Sequence, residues 1–268
     1  MVSGPYDDLD RPALREAGLR RDLAGPGLPW RELHVVGSTG STNVDVAAAS
    51  RAGAAAGLVL VAEEQTAGRG RQDRAWSAPR GSGLTFSVLV EPVAEPSWWG
   101  WLPLLAGLGV AGPIARVCGL DVTLKWPNDV LVGDRKLAGI LAERVGDQVV
   151  IGVGINVSLR PHELPVPQAT SLEIEGSAVI DRETVLRAVL RGIAQRLDGF
   201  DGSPAVLASV RADYRSRCAT LGREVRANLP GGRVVEGIAS DVDPTGRLLI
   251  ERSDGLEAVA AADVIHLR

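Results

Sequence analysis

Apolar and polar residues alternate, with many β-branched residues, in six stretches that we predict to be strands. These strands lie at 58–65, 84–92, 122–126, 129–132, 136–145 and 148–159. Helices are predicted at 41–53, about 99–118, 181–200 and 203–218, with a short one within 11–23. Ser41 or Thr42 stands where a helix N-cap belongs, and Gly53 where that helix would stop. Residues 31–219 therefore hold both strands and helices, after a polar, proline-punctuated lead-in over residues 1–30.

From about Thr220 the pattern changes to short strands joined by the turn sequences "PGG", "DPTG" and "SDG". The predicted strands lie at 224–229, 233–242, 247–252, 256–261 and 263–268. Such spacing is typical of a small all-β, barrel-like module. We therefore place a second domain at residues 220–268.

One uncharged stretch, residues 96–115, is long enough to cross a bilayer. It contains three prolines and four glycines, which favours a buried helix after a loop rich in proline and tryptophan. Gly107, Gly109 and Gly112 spell the dinucleotide fingerprint GxGxxG inside it. That motif requires a strand before the glycines, so we assign these glycines to helix packing.

The net charge of −4 gives the chain no electrostatic reason to bind DNA or an anionic membrane. Cys118 and Cys218 form neither a disulfide framework nor a metal motif, so we expect a reducing, cytoplasmic location. The N-terminus has no apolar core of a signal peptide. The three histidines, His34, His162 and His266, are far apart, and we expect ordinary surface or core roles for them.

The stretch "EQTAGRGRQDRAW", residues 64–76, alternates glycine with arginine between two predicted strands. Gly68 and Gly70 let a backbone approach a ligand closely, while Arg69, Arg71 and Arg74 offer forked donors. This suits a flexible phosphate or carboxylate that must be wrapped. A solvated basic loop and an RNA contact are the alternatives. We expect the segment to be irregular.

Two further clusters are candidates for ligand contact. In "LKWPNDVLVGDRKLAGIL", Lys125 and Lys136 suit phosphate, and Asn128 beside Asp129 suits hydrated Mg²⁺ or a ribose, although both turns could be plain hairpins. In "VVIGVGINVSL", glycines alternate along a strand that ends at an asparagine. Glycine in a strand marks close approach of a ligand, or else a bulge or tight packing.

Four motifs in this order resemble the biotin protein ligase family. They are "GSTGSTN", "EQTAGRGRQDRAW", "KWPNDVLVGDRKLAGIL" and "GVGINV", within about Gly37 to Leu159. The resemblance implies an α/β (α+β) catalytic domain with the mixed sheet of class II aminoacyl-tRNA synthetases, followed by an SH3-like β-barrel. It also implies that biotin and ATP, with Mg²⁺, form biotinyl-5′-AMP and pyrophosphate. Biotin is then transferred to a lysine of a carboxylase's biotin carboxyl carrier domain.

The resemblance also assigns residues. It implies that Lys136 lies between biotin's carboxylate and the α-phosphate, while Arg69 and Arg71 close over the acyl-phosphate, so these three are the catalytic candidates. For biotin the implied set is Ser41, Thr42, Asn43, Gln65, Gly68, Arg69, Gly70, Arg71, Lys136, Gly139, Gly152 and Gly154. For ATP it is Arg71, Arg74, Trp76, Lys125, Asn128, Asp129 and Asn156, with Asn128 and Asp129 also holding Mg²⁺.

The sequence departs from the family at two points. The family's loop commonly reads GRGRRGR, whereas here Gln72 and Asp73 precede Arg74, adding a negative charge and removing a glycine. Since the STN motif begins at Ser41, there is no room for the DNA-binding domain of the family's regulatory members. We therefore expect a ligase that binds no DNA or membrane, as a monomer or weak homodimer. A lipoate or octanoate ligase or transferase and a non-catalytic nucleic-acid-binding regulator are the rival interpretations.

Overall fold

The computed structural model describes residues 11–25 and 27–267. The helices are α1 (Glu16–Leu23), α2 (Thr42–Arg51), α3 (Leu102–Cys118), α4 (Arg182–Leu197) and α5 (Pro204–Arg217). The first seven strands are β1 (Glu32–Val36), β2 (Leu58–Ala62), β3 (Gly83–Val90), β4 (Val122–Lys125), β5 (Asp129–Val132), β6 (Arg135–Val145) and β7 (Gln148–Asn156). The last five are β8 (Glu224–Asn228), β9 (Val234–Val242), β10 (Leu248–Arg252), β11 (Gly255–Val259) and β12 (Asp263–His266).

The first seven strands form one mixed sheet in the order β1-β2-β3-β7-β6-β5-β4. In this sheet β1 and β2 are parallel. Every other pair of adjacent strands in that order is antiparallel. Side chains alternate between the faces of a sheet. On β3, Leu89 accordingly packs with Val46 of α2, whereas Phe86 joins the core cluster of α3 and α4. The sheet is thus covered on both faces, and this confirms the predicted mixed sheet with helices.

Helix α3 is buried through most of its length, as the uncharged stretch predicts. Together with the preceding 3-10 turn it is long and apolar enough to cross a membrane, but it fills the core between the sheet and α4. A Cβ on Gly109 would lie 2.7 Å from the Ile193 Cα of α4. Gly109 therefore serves helix packing at that crossing, as interpreted from the sequence. Gly107 faces the sheet instead, with a Cβ there 3.3 Å from Leu124, and a Cβ on Gly112 would meet only the Arg116 side chain of the same helix.

The described part of the lead-in lies against this body. Leu19 and Leu23 of α1 are fully buried. The buried pair Arg182 and Glu63, 2.7 Å apart, also holds the lead-in, because the Leu14 N–H donates to Glu63 Oε1 at 2.6 Å. Each buried charge thus has a partner, as burial of charge requires.

Residues 220–267 form a five-stranded antiparallel sheet in the order β11-β10-β9-β8-β12, which confirms the predicted all-β module. Two fully buried tryptophans of the main body donate hydrogen bonds to this sheet's β9–β10 turn. Trp101 Nε1 donates to the Pro244 carbonyl at 2.8 Å, and Trp126 Nε1 donates to the Gly246 carbonyl at 3.0 Å. The turn between β9 and β10 is therefore anchored to the larger sheet.

One strand was not predicted, and the predicted N-cap of α2 is confirmed in position but differs in its hydrogen bonding. Strand β1 was not predicted, because only Leu33 of its five residues is buried and it has a strand on one side only. Ser41 does occupy the N-cap position of α2, but its side chain makes no capping hydrogen bond. The Thr42 N–H is instead taken by Gln65 Oε1 at 2.8 Å, so a side chain from another segment caps this helix.

Candidate active site

A cavity of about 750 Å³ lies where α2, the arginine-glycine loop, β5–β7 and β12 meet. It is lined by every residue that the sequence analysis placed in the site except Gly68. These lining residues are Ser41, Thr42, Asn43, Gln65, Arg69, Gly70, Arg71, Arg74, Trp76, Lys125, Asn128, Asp129, Lys136, Gly139, Gly152, Gly154 and Asn156. Four motifs that are far apart in sequence are therefore brought to one cavity.

The arginine-glycine loop is a narrow hairpin and not the irregular segment that the sequence predicted. The Trp76 N–H donates to the Gly68 carbonyl at 2.9 Å, and the Gly70 N–H donates to the Arg74 carbonyl at 2.6 Å. A 3-10 turn over Arg71–Asp73 forms its tip. Glycine permits this fold, since a Cβ on Gly68 would lie 2.3 Å from the Trp76 carbonyl oxygen. Gly68 therefore shapes the loop from behind the cavity wall.

One end of the cavity is cationic. Lys136 Nζ lies 2.6 Å from Asp129 Oδ1, and Arg71 Nη1 lies 3.4 Å from Asn128 Oδ1. Burial lowers the pKa of Lys125 and of Arg71 below their ordinary values, although the Asp129 carboxylate opposes this. Partly desolvated cations of this kind favour an anionic ligand, which would restore the solvation that burial removes.

Both lysines of the sequence belong to this cluster. Lysine and arginine together number 29, and Lys125 and Lys136 are the only lysines among them. Each of them lines the cavity.

Trp76 lies across the floor of the cavity. A Cβ on Gly154 would lie 2.2 Å from Trp76 Cε2, and one on Gly139 would lie 3.2 Å from Trp76 Cζ3. Trp76 Nε1 is buried and meets no hydrogen-bond partner among the described residues. Lys136 Nζ lies 5.7 Å from the centre of the indole ring. The two glycines thus give room to a flat aromatic side chain beside the cations.

The other end of the cavity is polar and neutral. Gln65 Oε1 accepts from both the backbone N–H and the hydroxyl of Thr42, at 2.8 and 3.0 Å. Thr42 Oγ1 also lies 2.8 Å from Ser87 Oγ on β3. Ser87 was not predicted as a site residue, because a single serine in an apolar strand carries no motif.

The Asn43 side chain lines the cavity but makes its hydrogen bonds to the sheet. Its Nδ2 donates to Glu143 Oε2 at 2.6 Å, and its Oδ1 accepts from Ser87 Oγ at 2.6 Å. A Cβ on Gly152 would lie 2.0 Å from that Oδ1. The absence of a side chain at Gly152 therefore makes room for Asn43 in this structure, which is the tight-packing alternative of the sequence analysis.

The C-terminal module supplies part of the cavity wall. Asp263 of β12 forms an ion pair with Arg74. His266 Nε2 lies 3.0 Å from Thr220 Oγ1, and its Nδ1 lies 3.4 Å from Arg223 Nη1. Burial, and then the nearby Lys125, lower the pKa of His266 to about 4. Sequence reasoning missed these residues because no motif surrounds them.

The described residues contain no cluster of three or more histidine, cysteine, aspartate or glutamate side chains that would form a dedicated metal site. Asp129 is a carboxylate beside the cations and suits a Mg²⁺ ion that arrives with a nucleotide, since Mg²⁺ uses one or two carboxylates together with phosphates. In Asn128 the Nδ2 donates to the Ile140 carbonyl at 3.0 Å, and the Oδ1, the atom that could bind a metal ion, lies 3.4 Å from Arg71 Nη1. Asn156 likewise uses its Nδ2 to donate to the Thr170 carbonyl at 2.8 Å.

Two family models match the chain. Residues 38–156 match the biotin/lipoate A/B protein ligase family, and residues 220–267 match the biotin protein ligase C-terminal domain.

Two curated relatives and one solved structure are also similar. The biotin–[acetyl-CoA-carboxylase] ligase of Mycobacterium tuberculosis is 46% identical over 266 residues, which is 97% of this chain and 98% of that protein. The bifunctional ligase/repressor BirA of Bacillus subtilis is 31% identical, over 92% of this chain and 76% of its own length. The biotin protein ligase from Aquifex aeolicus in complex with biotin and ATP superimposes with a TM-score of 0.76 at 30% identity, over 89% of this chain and 100% of that chain.

Proposed function

Since the chain belongs to the biotin/lipoate A/B protein ligase family, we propose that it is a biotin protein ligase, which uses ATP to form biotinyl-5′-AMP and then biotinylates a lysine of a carrier protein. The observation that carries this proposal is a single cavity with a cationic end, formed by Arg71, Lys125 and Lys136, and a neutral polar end, formed by Thr42 and Gln65. A molecule that is anionic at one end and carries a neutral polar head at the other matches it.

The cationic end answers the physical difficulty of the first step. Biotin's carboxylate must reach the α-phosphate of ATP, and two unit charges 4 Å apart repel by about 4 kcal/mol at an effective dielectric constant near 20. Cations held in place before the reaction offset this repulsion without reorganisation. Lys136, held by Asp129, is the candidate for the place between the two anions. Arg71 and Arg69 are candidates for the acyl-phosphate beside it.

Biotin's own carboxylate attacks the phosphorus, so no side-chain nucleophile is needed. The protein's contribution is positioning and charge neutralisation. Trp76 offers its indole to the nucleotide, and Lys125 lies in the cation cluster that would meet the triphosphate. Mg²⁺ carried by the phosphates would neutralise their charge further, and Asp129 is the residue that would hold it.

The neutral end is suited to biotin's ureido ring, which has two N–H donors and a carbonyl acceptor. Thr42 and Gln65 supply a hydroxyl and an amide there. A buried donor or acceptor left without its partner costs about 1–3 kcal/mol, so such an end discriminates against heads without those groups.

Incubation of the purified protein with ATP, Mg²⁺ and the apo form of a biotin carboxyl carrier domain tests the proposal directly. With biotin we expect intact-mass spectrometry to show the mass of one biotinyl group on the carrier, and with lipoate or octanoate no addition. Transfer of lipoate or octanoate in place of biotin would overturn the proposal in favour of the related acyl ligases.

We further propose that the acceptor belongs to an acyl-CoA carboxylase, as the name of the mycobacterial relative supports. We also propose that the protein acts without binding DNA, as a monomer or weak homodimer. A salt-dependent gel shift and light scattering at several protein concentrations, with and without biotin and ATP, test these two statements.

A further inference from the structure

The contacts of the Asn43 side-chain amide fix its orientation. One of its terminal atoms lies 2.6 Å from a Glu143 carboxylate oxygen and 3.3 Å from the Leu141 carbonyl oxygen. Both of those atoms only accept hydrogen bonds. The amide atom that faces them must therefore be the NH₂ group, and the oxygen Oδ1 must point the other way.

The orientation of Asn43 determines what Ser87 does. Ser87 Oγ lies 2.6 Å from Asn43 Oδ1, which can only accept, so the single hydroxyl proton of Ser87 is committed to Asn43. Ser87 is fully buried, away from bulk solvent. Its oxygen, 2.8 Å from Thr42 Oγ1, can then only accept from Thr42.

Thr42 is thereby enclosed by acceptors. Its hydroxyl lies 2.8 Å from Ser87 Oγ and 3.0 Å from Gln65 Oε1, and that Oε1 also accepts from the Thr42 backbone N–H. Whichever of the two takes the Thr42 proton, the group that Thr42 offers to the cavity is a lone pair. Gln65, with its oxygen turned to Thr42, has its NH₂ group left to donate.

We propose that Glu143 is a positioning residue that acts through Asn43 and Ser87 to set the direction of this hydrogen-bond chain, so that Thr42 accepts from an N–H group of the substrate's head. This rests on the proposed function and deepens it, because biotin's cyclic urea presents N–H groups and a carbonyl side by side. Thr42 takes an N–H, and Gln65 donates to the carbonyl. Glu143 itself touches no substrate.

The substitution Glu143→Gln tests this while keeping the size of the side chain. A glutamine amide donates as well as accepts, so only the longer contact, 3.3 Å to the Leu141 carbonyl, still favours the wild-type orientation of the Asn43 amide. In molecules in which Asn43 turns over, its NH₂ group donates to Ser87, and Ser87 donates to Thr42. One lone pair of Thr42 is then occupied and its proton is left to Gln65 Oε1 or the cavity, so Thr42 accepts less well from the substrate. The ligands are biotin and two cyclic carbamates, each with one ureido N–H replaced by a ring oxygen. Binding is measured by calorimetry, and KM and kcat for both substrates by pyrophosphate release.

In the wild type we expect one carbamate, the one whose oxygen faces Thr42, to bind at least about 10-fold more weakly than biotin. We call the ratio of the dissociation constants of this carbamate and of biotin the preference. In Glu143→Gln the preference should fall at least about 3-fold, because biotin binds more weakly. KM for biotin should rise accordingly, with kcat at saturating biotin and KM for ATP unchanged. Glu143→Lys, which can only donate, should lower the preference further, because it favours the turned-over Asn43 amide more strongly than glutamine does.

The matched control is Ser50→Ala, which removes a 2.6 Å hydrogen bond between the same helix α2 and Gln148 of β7. It should leave the preference unchanged. An unchanged preference in both Glu143 variants, or an equal change in Ser50→Ala, would overturn the inference. Failure of the wild type to bind biotin would instead overturn the proposed function, and that result is read from the wild type alone.

Discussion

Replacement of Lys136 by methionine is the sharpest test of the cationic end of the cavity. The change keeps the length of the side chain and removes its charge. It also removes the Lys136 ammonium that lies 2.6 Å from Asp129 Oδ1, so the Asp129 carboxylate becomes an added negative charge in the site. Two anions 4 Å apart repel by about 4 kcal/mol at an effective dielectric constant near 20. That energy corresponds to a factor of about 1,000 in rate.

Solvent reduces this figure, because 33% of the Lys136 side chain is exposed. We therefore expect adenylate formation to slow by about 100- to 1,000-fold. Single-turnover release of pyrophosphate measures the rate, and calorimetry without ATP measures biotin binding, which should weaken by less than about 10-fold.

Lys125→Met provides the comparison, since it removes the other lysine of the same cluster. We expect it to raise KM for ATP while biotin binding stays as in the wild type. Pyrophosphate release by Lys136→Met within 10-fold of the wild-type rate would refute the role given to Lys136. An equal loss of biotin binding and of rate would show that Lys136 serves binding alone.

Three further changes have defined outcomes. Gly154→Ala places a methyl group 2.2 Å from Trp76 Cε2, so the indole must move, and we expect KM for ATP to rise about 10-fold with a loss of about 1–3 kcal/mol in unfolding free energy. Hydrogen bonds from Arg15 lower the pKa of Glu183 to about 2, so urea unfolding should show stability falling as pH drops from about 4.5 toward about 2, and Glu183→Gln should flatten that decline. Burial lowers the pKa of His266 to about 4, so on acidification the unfolded chain takes up this proton before the folded one does. The free energy of unfolding should therefore fall as the pH is lowered from 6.5 to about 4, by no more than about 1.4 kcal/mol per pH unit. A His266→Gln variant whose unfolding free energy falls with the same slope would contradict this.

The candidate site could be predicted from sequence where its residues stand in motifs. Antiparallel pairing of β4 with β5 sets Lys125 opposite Asp129, with Asn128 in the turn between them. Lys136 pairs with Leu131 from β6, and its side chain reaches Asp129. The same pairing sets Gly139 opposite Gly154. The residues of this half of the cavity could therefore be predicted, because they lie in consecutive strands whose order follows the sequence.

Other parts depended on contacts that residue order does not reveal. Asp263 and His266 reach the cavity only because buried tryptophans anchor the C-terminal module against the larger sheet. Glu143 lies on a half-exposed stretch of β6 and reads as a surface residue until Asn43 is placed above Gly152. The hairpin of the arginine-glycine loop likewise depends on one close approach, at Gly68, that a pattern of polar residues cannot specify.

The confinement of both lysines to the cavity has a consequence for an enzyme of the proposed kind. Acyl adenylates that escape into solution acylate exposed amines indiscriminately, and a ligase is the protein nearest to them. Arginine does not act as a nucleophile here, because its guanidinium stays protonated at any physiological pH. Because no lysine stands outside the cavity in this sequence, the chain offers its own product few targets for self-modification.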